Sequence, residues 1–523
     1  MPYAHIVKKY IPDGTAVEKR GRVAHYAVSA SSIADICHAL YFTHALPLKT
    51  ITAIDERKGG FGFRIVYVFG IPGTQFFIAP SIVVQEKEGF PSITKDIHEA
   101  SGYERKIKTF FGLEPIGHPH PRGILLHENW PADVHPLRKD FAMGERPKEA
   151  NTPYVFQNVE GEGIYEIPVG PVHAGIIEPG HFRFSVAGEE IMLLEPKLGY
   201  THKGTEKLFE TFSFPDAVRL SERISGDTSC THALAFCQAM EDLSDTVVPE
   251  KAKYLRVIFS ELERLANHMN DIGFIMLDTG YSFGGANGAR LREICMQWNE
   301  RLTGSRFLRG VNVIGGVTND IAPDVRKELQ SALKEIQKDF RDVIMISEDS
   351  NSLLNRLQGT GKLDRRIAAD HGVVGIVARA VGIARDARID APYAAYDTLH
   401  CTVALENEGD VRARLYVRIK EVYASLEIIE EALRRLPESG SLVAHAKSVL
   451  RKNSYGVGWA EGWRGEIFYF VATDAAGKLT RVDVRDPSFL NWTVVGHAGK
   501  GNVVPDFPLI NKSFNLSYSG NDL

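Results

Sequence analysis

Two short runs of sequence decide how this chain is to be interpreted. The first is E-R-I-S-G-D-T at positions 222–228, in which Ser225 and Thr228 stand three residues apart. The second is R-D-P-S-F-L-N at positions 485–491, with Ser488 and Asn491 at the same spacing. Soft transition metals prefer thiolate ligands, and the neutral hydroxyl and amide groups at these four positions cannot take the place of thiolates. Neither run therefore predicts a metal site.

Length and composition narrow the classes of protein to consider. A chain of 523 residues is too long for one core and predicts about two to four folded units. Hydrophobic content of 44% and charged content of 24% are ordinary, and a formal net charge of −5 gives no reason to expect nucleic-acid binding. No apolar run approaches the roughly 18–20 residues of a membrane span, and the N-terminus lacks the features of a secretory signal. The five cysteines are scattered without any C-x-x-C, which indicates a reducing compartment.

Residues 1–145 are predicted to form a small α+β domain. Side chains of one apolar run alternate with period two, as in a half-buried strand: Phe61, Phe63, Ile65, Tyr67 and Phe69. A second apolar run at 75–84 follows across a glycine-bearing turn, which predicts a hairpin or meander. Residues 97–111 are predicted to be helical.

Residues 169–523 are predicted to form a second, mainly helical domain after a polar, proline-bearing linker at 146–168. Three stretches step by three and four residues like amphipathic helices of a bundle, at 254–272, 329–343 and 415–433. Apolar runs at 467–471 and 479–484 flank a turn and predict a β-hairpin. The predicted fold class is α+β, with a small N-terminal α+β domain and a helical bundle domain that carries peripheral β-hairpins.

Three further runs follow one another between residues 91 and 141. They read P-S-I-T-K-D-I-H-E-A-S-G-Y-E-R-K-I-K-T-F-F-G-L, then G-H-P-H-P-R-G-I-L-L, then H-P-L-R-K-D-F. Their order and spacing resemble the 30-kDa subunit of respiratory complex I. The histidines of this segment fit no standard zinc pattern, and the segment is interpreted as a docking loop.

A second set of runs extends from about residue 170 to the end of the chain. It includes G-P-V-H-A-G-I-I-E-P-G-H-F-R-F, L-G-Y-T-H-K-G-T-E-K-L-F-E, E-R-I-S-G-D-T, E-G-W-R-G-E and R-D-P-S-F-L-N. Together these resemble the 49-kDa subunit of complex I and the large subunit of energy-converting nickel–iron hydrogenases such as hydrogenase-4 and formate hydrogenlyase. In those hydrogenases the two deciding runs read roughly E-R-x-C-G-x-C and D-P-C-x-x-C, and four thiolates hold nickel and iron. The resemblance implies a fused 30-kDa/49-kDa-type subunit that lacks the nickel–iron ligands and is not itself a hydrogenase.

His202 lies in the run Y-T-H-K-G-T-E, which is predicted to be a β-hairpin-like turn. The resemblance implies that this histidine lines the head-group end of a quinone cavity, where an imidazole can donate a hydrogen bond or a proton. The alternative is a loop histidine that only caps nearby backbone groups. Complex I also places a tyrosine near the position of Ser225, and this chain has no tyrosine between Tyr200 and Tyr254.

Two acidic residues are further candidates. Glu206 resembles a proton-relay acid of energy-converting hydrogenases; the alternative is an i,i+4 pair with His202 or an exposed helix charge. Asp227 could replace the missing donor if its carboxyl stayed protonated in an apolar cavity; the alternative is a cap on the following helix. The candidate catalytic residues are His202, Glu206 and Asp227. The residues expected to line the cavity that takes a cofactor are His202, Ser225, Thr228, Ser488 and Asn491.

The resemblance implies a core subunit that sits peripherally on the cytoplasmic face of the inner (plasma) membrane. Its expected partners are an iron–sulfur subunit of the complex I small-subunit type, a ferredoxin-like iron–sulfur subunit and the membrane subunits of an ion-translocating arm. Iron–sulfur clusters are expected in the partners, with no metal in this chain and a quinone as its expected ligand. The expected function is electron transfer coupled to quinone or ion translocation. The alternative is a non-catalytic structural subunit that transmits conformational change to the membrane arm.

Overall fold

The computed structural model describes residues 7–12, 14–444 and 449–523. The described residues up to 145 are called here the N-terminal unit. They contain one five-stranded sheet of order β1-β2-β5-β4-β3, in which β2 and β5 run parallel and the other neighbouring strands run antiparallel. The elements are β1 (Glu18–Arg20), β2 (Val23–Ala27), α1 (Ile33–His38), β3 (Leu48–Asp55), β4 (Phe63–Gly70), β5 (Phe77–Val84), β6 (Phe90–Pro91), α2 (Ser101–Phe111) and β7 (Pro115–Ile116). The hairpin and the helix predicted from the sequence are confirmed as β4–β5 and α2.

The sheet of the N-terminal unit is buried on both faces, so the expectation of a half-buried strand at β4 is wrong. Alternate side chains of a strand point to opposite faces. In β4, Ile65 belongs to the unit's own core, whereas Val66 and Val68 belong to the core shared with the rest of the chain. Phe77 of β5 contacts Trp459 with ring centroids 5.1 Å apart. The sheet therefore joins the N-terminal unit to the C-terminal part.

Residues 117–163 contain no helix or strand. The irregular chain ends at Ile164, where a three-stranded antiparallel sheet begins with β8 (Ile164–Val169), β9 (His181–Ala187) and β10 (Glu190–Lys197). The Tyr154 hydroxyl and the backbone N–H of Gln157 donate to the Glu195 carboxylate at 2.9 and 2.8 Å. The segment that precedes the sheet is thus fixed to β10.

A helical bundle forms most of the C-terminal part. Its helices are α3 (Thr205–Leu208), α4 (Phe214–Ser221), α5 (Ser229–Ser244), α6 (Glu250–Asp278), α7 (Ser282–Thr303), α8 (Pro323–Glu348), α9 (Asn351–Leu357), α10 (Arg365–Asp370), α11 (Gly375–Ala380), α12 (Ala387–Asp390), α13 (Val411–Arg435), α14 (Pro487–Asn491), α15 (Val495–Gly499), α16 (Phe507–Phe514) and α17 (Tyr518–Asp522). The short strands β11 (Asn312–Val313) and β12 (Gly316–Val317) pair between α7 and α8. The three long helices predicted from the sequence are confirmed as α6, α8 and α13, and α6 packs against α7 and α13. Within the described ranges, no helix combines the length and the apolar character that a bilayer crossing needs.

A second antiparallel sheet lies inside the molecule. It consists of β13 (Tyr455–Gly462), β14 (Gly465–Thr473) and β15 (Leu479–Arg485), and the hairpin predicted from the sequence is β14–β15. All residues of β13 and β14 are buried, so this hairpin is not peripheral as expected. It lies between α5, which packs on β13, and the N-terminal sheet, whose strand β3 contacts β15. The α+β fold class itself is confirmed.

Candidate functional site

His202 lies in the loop between β10 and α3, so the prediction of a β-hairpin-like turn is wrong. Its Nδ1 donates to the carbonyl oxygen of Asp522 at 2.7 Å, which leaves Nε2 as an acceptor in the neutral ring. The carboxylate of Asp522 accepts from the backbone N–H groups of Gly199 and Thr201 at 3.0 and 2.9 Å. The last helix, α17, thus fixes both the imidazole and the loop that carries it.

The surroundings of His202 come from both parts of the chain. The ring of Phe110, on α2, lies 5.4 Å from the imidazole between centroids. Lys106 of the same helix lines a small cavity together with Phe110 and His202. Burial lowers the pKa of His202, Lys106 lowers it further, and Asp522 and Glu206 oppose the shift. The imidazole is therefore neutral at neutral pH.

Glu206 is buried, so the expectation of an exposed helix charge is wrong. One carboxylate oxygen accepts from the Lys106 ammonium at 2.8 Å and the other from the Arg481 guanidinium at 3.2 Å, and these cations, not His202, are its ion-pair partners. Lys106 and Arg481 also contact one oxygen of Asp483, at 3.2 and 2.8 Å. The four side chains close a ring of alternating charges, called here the charge ring: Lys106, Glu206, Arg481 and Asp483.

The first deciding run is organised around one ion pair. The two terminal nitrogens of Arg464 each donate to an oxygen of Asp227 at 2.7 Å. The hydroxyls of Ser225 and Thr228 donate to the same carboxylate, each at 2.9 Å. One guanidinium nitrogen also lies 3.5 and 3.2 Å from those two hydroxyl oxygens. A cation therefore stands directly beside both hydroxyl groups.

Both roles expected for Asp227 are wrong. It does not cap the following helix, because the N-cap of α5 is Thr228 and its side chain makes no capping hydrogen bond. It does not stay protonated either: burial alone would raise the pKa, but the charge and hydrogen bonds of Arg464 lower it to about 2. Asp227 is ionised at neutral pH and accepts hydrogen bonds without donating them.

Ser517 joins the two deciding runs. Its hydroxyl oxygen lies 2.8 Å from that of Ser225, and its backbone N–H donates to the Ser488 hydroxyl at 3.0 Å. Asn491 is engaged elsewhere, since its amide bonds both the N–H and the carbonyl of Val374, each at 3.0 Å. The structure thus links Ser225 with Ser488, whereas Asn491 holds the start of α11.

A buried histidine behind the second run was not predicted from the sequence. His232 donates from Nε2 to Asp486 at 3.0 Å, and the Tyr469 hydroxyl lies 3.0 Å from its Nδ1. Asp486 also accepts from the backbone N–H of Ser488 at 2.7 Å and so caps α14. Burial alone would raise the pKa of Asp486, but the hydrogen bonds from His232 and Ser488 hold it below its usual value. This network fixes the backbone of the second run.

Three more residues that shape the site were missed. Arg464 stands in the run E-G-W-R-G-E, and the need of Asp227 for a cationic partner was the signal that could have pointed to it. Lys106 and Ser517 carried no comparable signal, because each meets its partner over a long separation in sequence. Position in a run therefore identified the neighbourhood but not the partners.

A nickel–iron group does not fit the residues of the two runs. Within residues 7–12, 14–444 and 449–523, no three His, Cys, Asp or Glu side chains are arranged to hold a metal ion. Ser225 and Thr228 supply hydroxyl groups where soft metals need thiolates. Asp227, the carboxylate beside them, is already bound on both oxygens by the Arg464 guanidinium and is not free to bind a metal cation.

The comparison with known families defines the class. The family model of the 30 Kd subunit of respiratory-chain NADH dehydrogenase matches residues 26–147, and that of the 49 Kd subunit matches residues 278–458 and 452–522. Formate hydrogenlyase subunit 5 of Escherichia coli (strain K12) is 33% identical over 503 residues, which cover 95% of this chain and 88% of the relative. The chain belongs to the family of fused complex I 30-kDa/49-kDa-type subunits that includes formate hydrogenlyase subunit 5, which confirms the resemblance seen in the sequence.

Other relatives agree with this assignment. Hydrogenase-4 component G of Escherichia coli (strain K12) is 32% identical over 95% of this chain and 87% of the relative. The C/D subunit of the NADH-quinone oxidoreductase of Phocaeicola vulgatus is 30% identical over 80% of this chain and 84% of its own length. Among solved structures, a chain of the membrane-bound sulfane sulfur reductase, described as an archaeal respiratory membrane complex, aligns with a TM-score of 0.64 and 25% identity. That alignment covers 69% of this chain and 99% of the other.

Proposed function

We propose that this chain is the core subunit of a complex I/hydrogenase-4-like oxidoreductase that works without a nickel–iron centre. Its family membership and its likeness to a chain of an archaeal respiratory membrane complex support this proposal. In the proposal the chain sits peripherally on the cytoplasmic face of the inner membrane. Electrons arrive through clusters of a small-subunit-type and a ferredoxin-like iron–sulfur partner, and membrane subunits form an ion-translocating arm.

The observation that carries the proposal is the pair of Asp227 with Arg464. It places an anion and a cation, hydrogen-bonded at 2.7 Å, beside the hydroxyls of Ser225 and Thr228. The pair satisfies its own charges, so no metal is needed to neutralise Asp227. Hydroxyl donors, an amide already bound to backbone and a neighbouring guanidinium together favour a metal-free site.

Metal analysis of the native complex tests this part of the proposal. We expect iron from the clusters of the partner subunits and no stoichiometric nickel, so the iron content serves as the internal control. One nickel per chain would overturn the proposal. We also expect that cysteines introduced at Ser225, Thr228, Ser488 and Asn491 do not by themselves give hydrogenase activity, because a nickel–iron cluster needs maturation.

A quinone is the proposed ligand beside His202. With Nδ1 held by the Asp522 carbonyl, Nε2 is the ring atom that would exchange a proton with the quinone. It would donate the proton to a quinone oxygen as electrons from the partner clusters reduce the quinone, and accept one from a quinol hydroxyl as those electrons leave in the reverse direction. Glu206 and Asp227 are not proton carriers in this proposal, because cations hold both carboxylates. Glu206 orients the helix that follows the His202 loop, and Asp227 orients the first run.

The cavity beside His202 has a volume of about 20 Å³ in this chain, which is room for a water molecule and not for a quinone ring. Its walls include Phe110, Leu125 and Leu137, which supply the apolar surface that a ligand site needs. In the proposal the cavity is one wall of a larger site, and a neighbouring protein of the assembly completes it.

Native purification with mass spectrometry of everything that co-purifies tests the assembly. Iron–sulfur and ion-translocating subunits are expected with the chain; recovery of the chain alone would remove the main support of the proposal.

Substitution of His202 tests the ligand. H202A is expected to lower quinone-linked turnover without loss of assembly. H400A, which changes an exposed histidine far along the chain, is the control and is expected to leave turnover unchanged. Unchanged turnover in H202A would exclude the role of His202.

A second candidate function is favoured by the small cavity. In it the chain carries no ligand and transmits conformational change from the electron-transfer partners to the membrane arm. A photoreactive quinone analogue applied to the native complex separates the two functions. Labelling of peptides around His202 supports the quinone function, whereas intact coupling without such labelling supports the structural one.

A further inference from the structure

The charge ring connects the N-terminal unit with the candidate site through buried ion pairs. Lys106 comes from α2, Glu206 from α3, and Arg481 and Asp483 from β15. Each of the two cations contacts both carboxylates, at distances between 2.8 and 3.2 Å. The four side chains are at most 7% exposed. Two positive and two negative charges cancel inside the protein.

Further hydrogen bonds hold three members of the ring in place. The Thr50 hydroxyl donates to Asp483 at 2.6 Å, and the backbone N–H of Val484 donates to Glu206 at 2.9 Å. Arg481 donates from Nε to the Thr52 hydroxyl at 3.1 Å. Buried charges are tolerated only when they are paired and hydrogen-bonded in this way. Removal of one member leaves the others with an uncompensated charge.

The ring is directly connected to His202. Glu206 lies in α3, which begins three residues after His202, and α2 presents Lys106 and Phe110 one turn apart. Phe110 contacts the imidazole while Lys106 binds Glu206, and Lys106, Glu206 and His202 all line one cavity. The N-terminal unit therefore supplies a charge and an aromatic wall to a histidine that lies in the other part of the chain.

We propose that Lys106 is a positioning residue for His202, which it influences by neutralising and orienting Glu206. The N-terminal unit is then a part of the site and not only an attached module. Only the expected effect of Lys106 on quinone-linked turnover rests on the proposed function. The electrostatic influence on the imidazole can be measured without any ligand.

Two explanations of the ring make opposite predictions. If the ring only holds the two parts of the chain together, neutralising Lys106 and neutralising Glu206 affect stability and leave the titration of His202 alone. If Lys106 acts on His202 through charge, the two changes move the titration in opposite directions. Loss of the cation makes protonation of His202 easier, and loss of the Glu206 anion makes it harder.

The test is the titration of His202 in the purified full chain, followed by NMR of ring-labelled histidine and assigned by the signal lost in H202Q. K106M is expected to raise the midpoint and E206Q to lower it, each by roughly half a pH unit. K106R keeps the charge and is expected to leave it unchanged. K108M is the matched control, because Lys108 lies on the same helix, partly exposed and paired with Glu114 at 2.9 Å.

The outcomes separate this inference from the proposed function. Opposite shifts in K106M and E206Q support the positioning role; shifts of the same sign, or none, overturn it. Should K106M fail to fold, the nearly isosteric E206Q decides alone, and an unchanged midpoint in E206Q overturns the proposal. Opposite shifts combined with normal quinone-linked turnover of H202A would contradict the quinone function while leaving the positioning role in place.

Discussion

Asp227 and Arg464 face each other through two parallel hydrogen bonds of 2.7 Å. Arg464 stands between β13 and β14, and its Nε donates to the carbonyl oxygen of Asn515 at 2.5 Å. The pair therefore connects the first deciding run, the turn of the buried sheet and the chain that leads into α17.

Substitution of Asp227 tests how much this pair stabilises the protein. D227A is expected to lower the free energy of unfolding by about 2 kcal/mol, because the buried guanidinium loses its charged acceptor. The loss in the free energy of unfolding is smaller than for a fully buried ion pair, because the Asp227 side chain is 39% exposed and water screens the pair. Urea unfolding of the full chain measures the change, and D227N should cost less than D227A.

The exposed pair of Arg290 and Asp339 offers a control with the same bidentate geometry, at 2.6 and 2.8 Å. D339A is expected to change the free energy of unfolding by no more than about 0.5 kcal/mol, because both side chains are exposed to water. Equal losses in D227A and D339A would mean that burial of Arg464 contributes nothing.

Asn491 permits a prediction about the second deciding run. N491A removes both hydrogen bonds to Val374 and leaves a buried N–H and a buried carbonyl without partners. The expected loss in the free energy of unfolding is about 2–4 kcal/mol, since each unsatisfied group costs about 1–3 kcal/mol. Thermal and urea unfolding measure it. N355A, at an exposed asparagine of α9, should change the midpoint little, and a similar fall in both variants would refute the explanation.

The fold was predictable wherever one period of apolar residues dominates. The stripes of α6, α8 and α13 and the turn of β14–β15 were found in this way. The double burial of the N-terminal sheet was missed because the alternation of Phe63, Ile65 and Tyr67 was given more weight than the apolar residues between them. An uninterrupted apolar run such as residues 65–69 indicates a strand buried on both faces.

The sequence predicted which runs form the site, but it did not predict which side chains in them contact one another. An aspartate just before a helix favours capping, but at Asp227 a guanidinium from residue 464 provides two charged hydrogen bonds and displaces that role. The local sequence offered Glu206 only a pair with His202 or an exposed position on the helix. Its partners stand 100 and 275 positions away, and no local pattern carries that information.

Three imidazoles that meet between the two parts of the chain predict a dependence of stability on pH. The rings of His98 and His371 lie 4.3 Å apart between centroids, and those of His371 and His497 lie 5.2 Å apart. Burial and the two neighbouring histidines lower the pKa of His371 to about 3. Burial also lowers the pKa of His98, against the charge of Asp370. Burial together with the charges of His98 and Lys500 lowers the pKa of His497.

The unfolded chain binds a proton at His371 near its ordinary pKa of 6.5, whereas the folded chain binds it only near 3. Stability from this group is therefore fully present above 6.5 and is lost as the pH falls toward 3. Between about pH 7.5 and pH 5.5 the expected loss is about 1 kcal/mol, measured by urea unfolding. H371N should reduce the loss of stability between these two pH values by this amount, while His98, His497 and His25 keep their own contributions. H400N, at an exposed position, is the control variant. The same slope in H371N as in the parent chain would contradict the assignment.

Gly375 tests whether the turn that holds Arg464 must approach α11 closely. Its φ is +65°, and a Cβ there would lie 1.9 Å from the carbonyl oxygen of Arg464 and 2.4 Å from the Cα of Gly465. G375A therefore has to push the turn away from α11 and with it the guanidinium that binds Asp227. The expected cost in the free energy of unfolding is about 3 kcal/mol, from left-handed backbone strain together with the clash.

Gly280 separates these two contributions. It has a similar φ of +84°, but no atom lies within 4 Å of the position that a Cβ would take. G280A should cost only about 1 kcal/mol, because the strain of the left-handed backbone acts alone. The difference between the two variants measures the contact of α11 with the Arg464 turn. If G375A costs no more than G280A, the turn gives way freely, and the close approach does not hold Arg464 against Asp227.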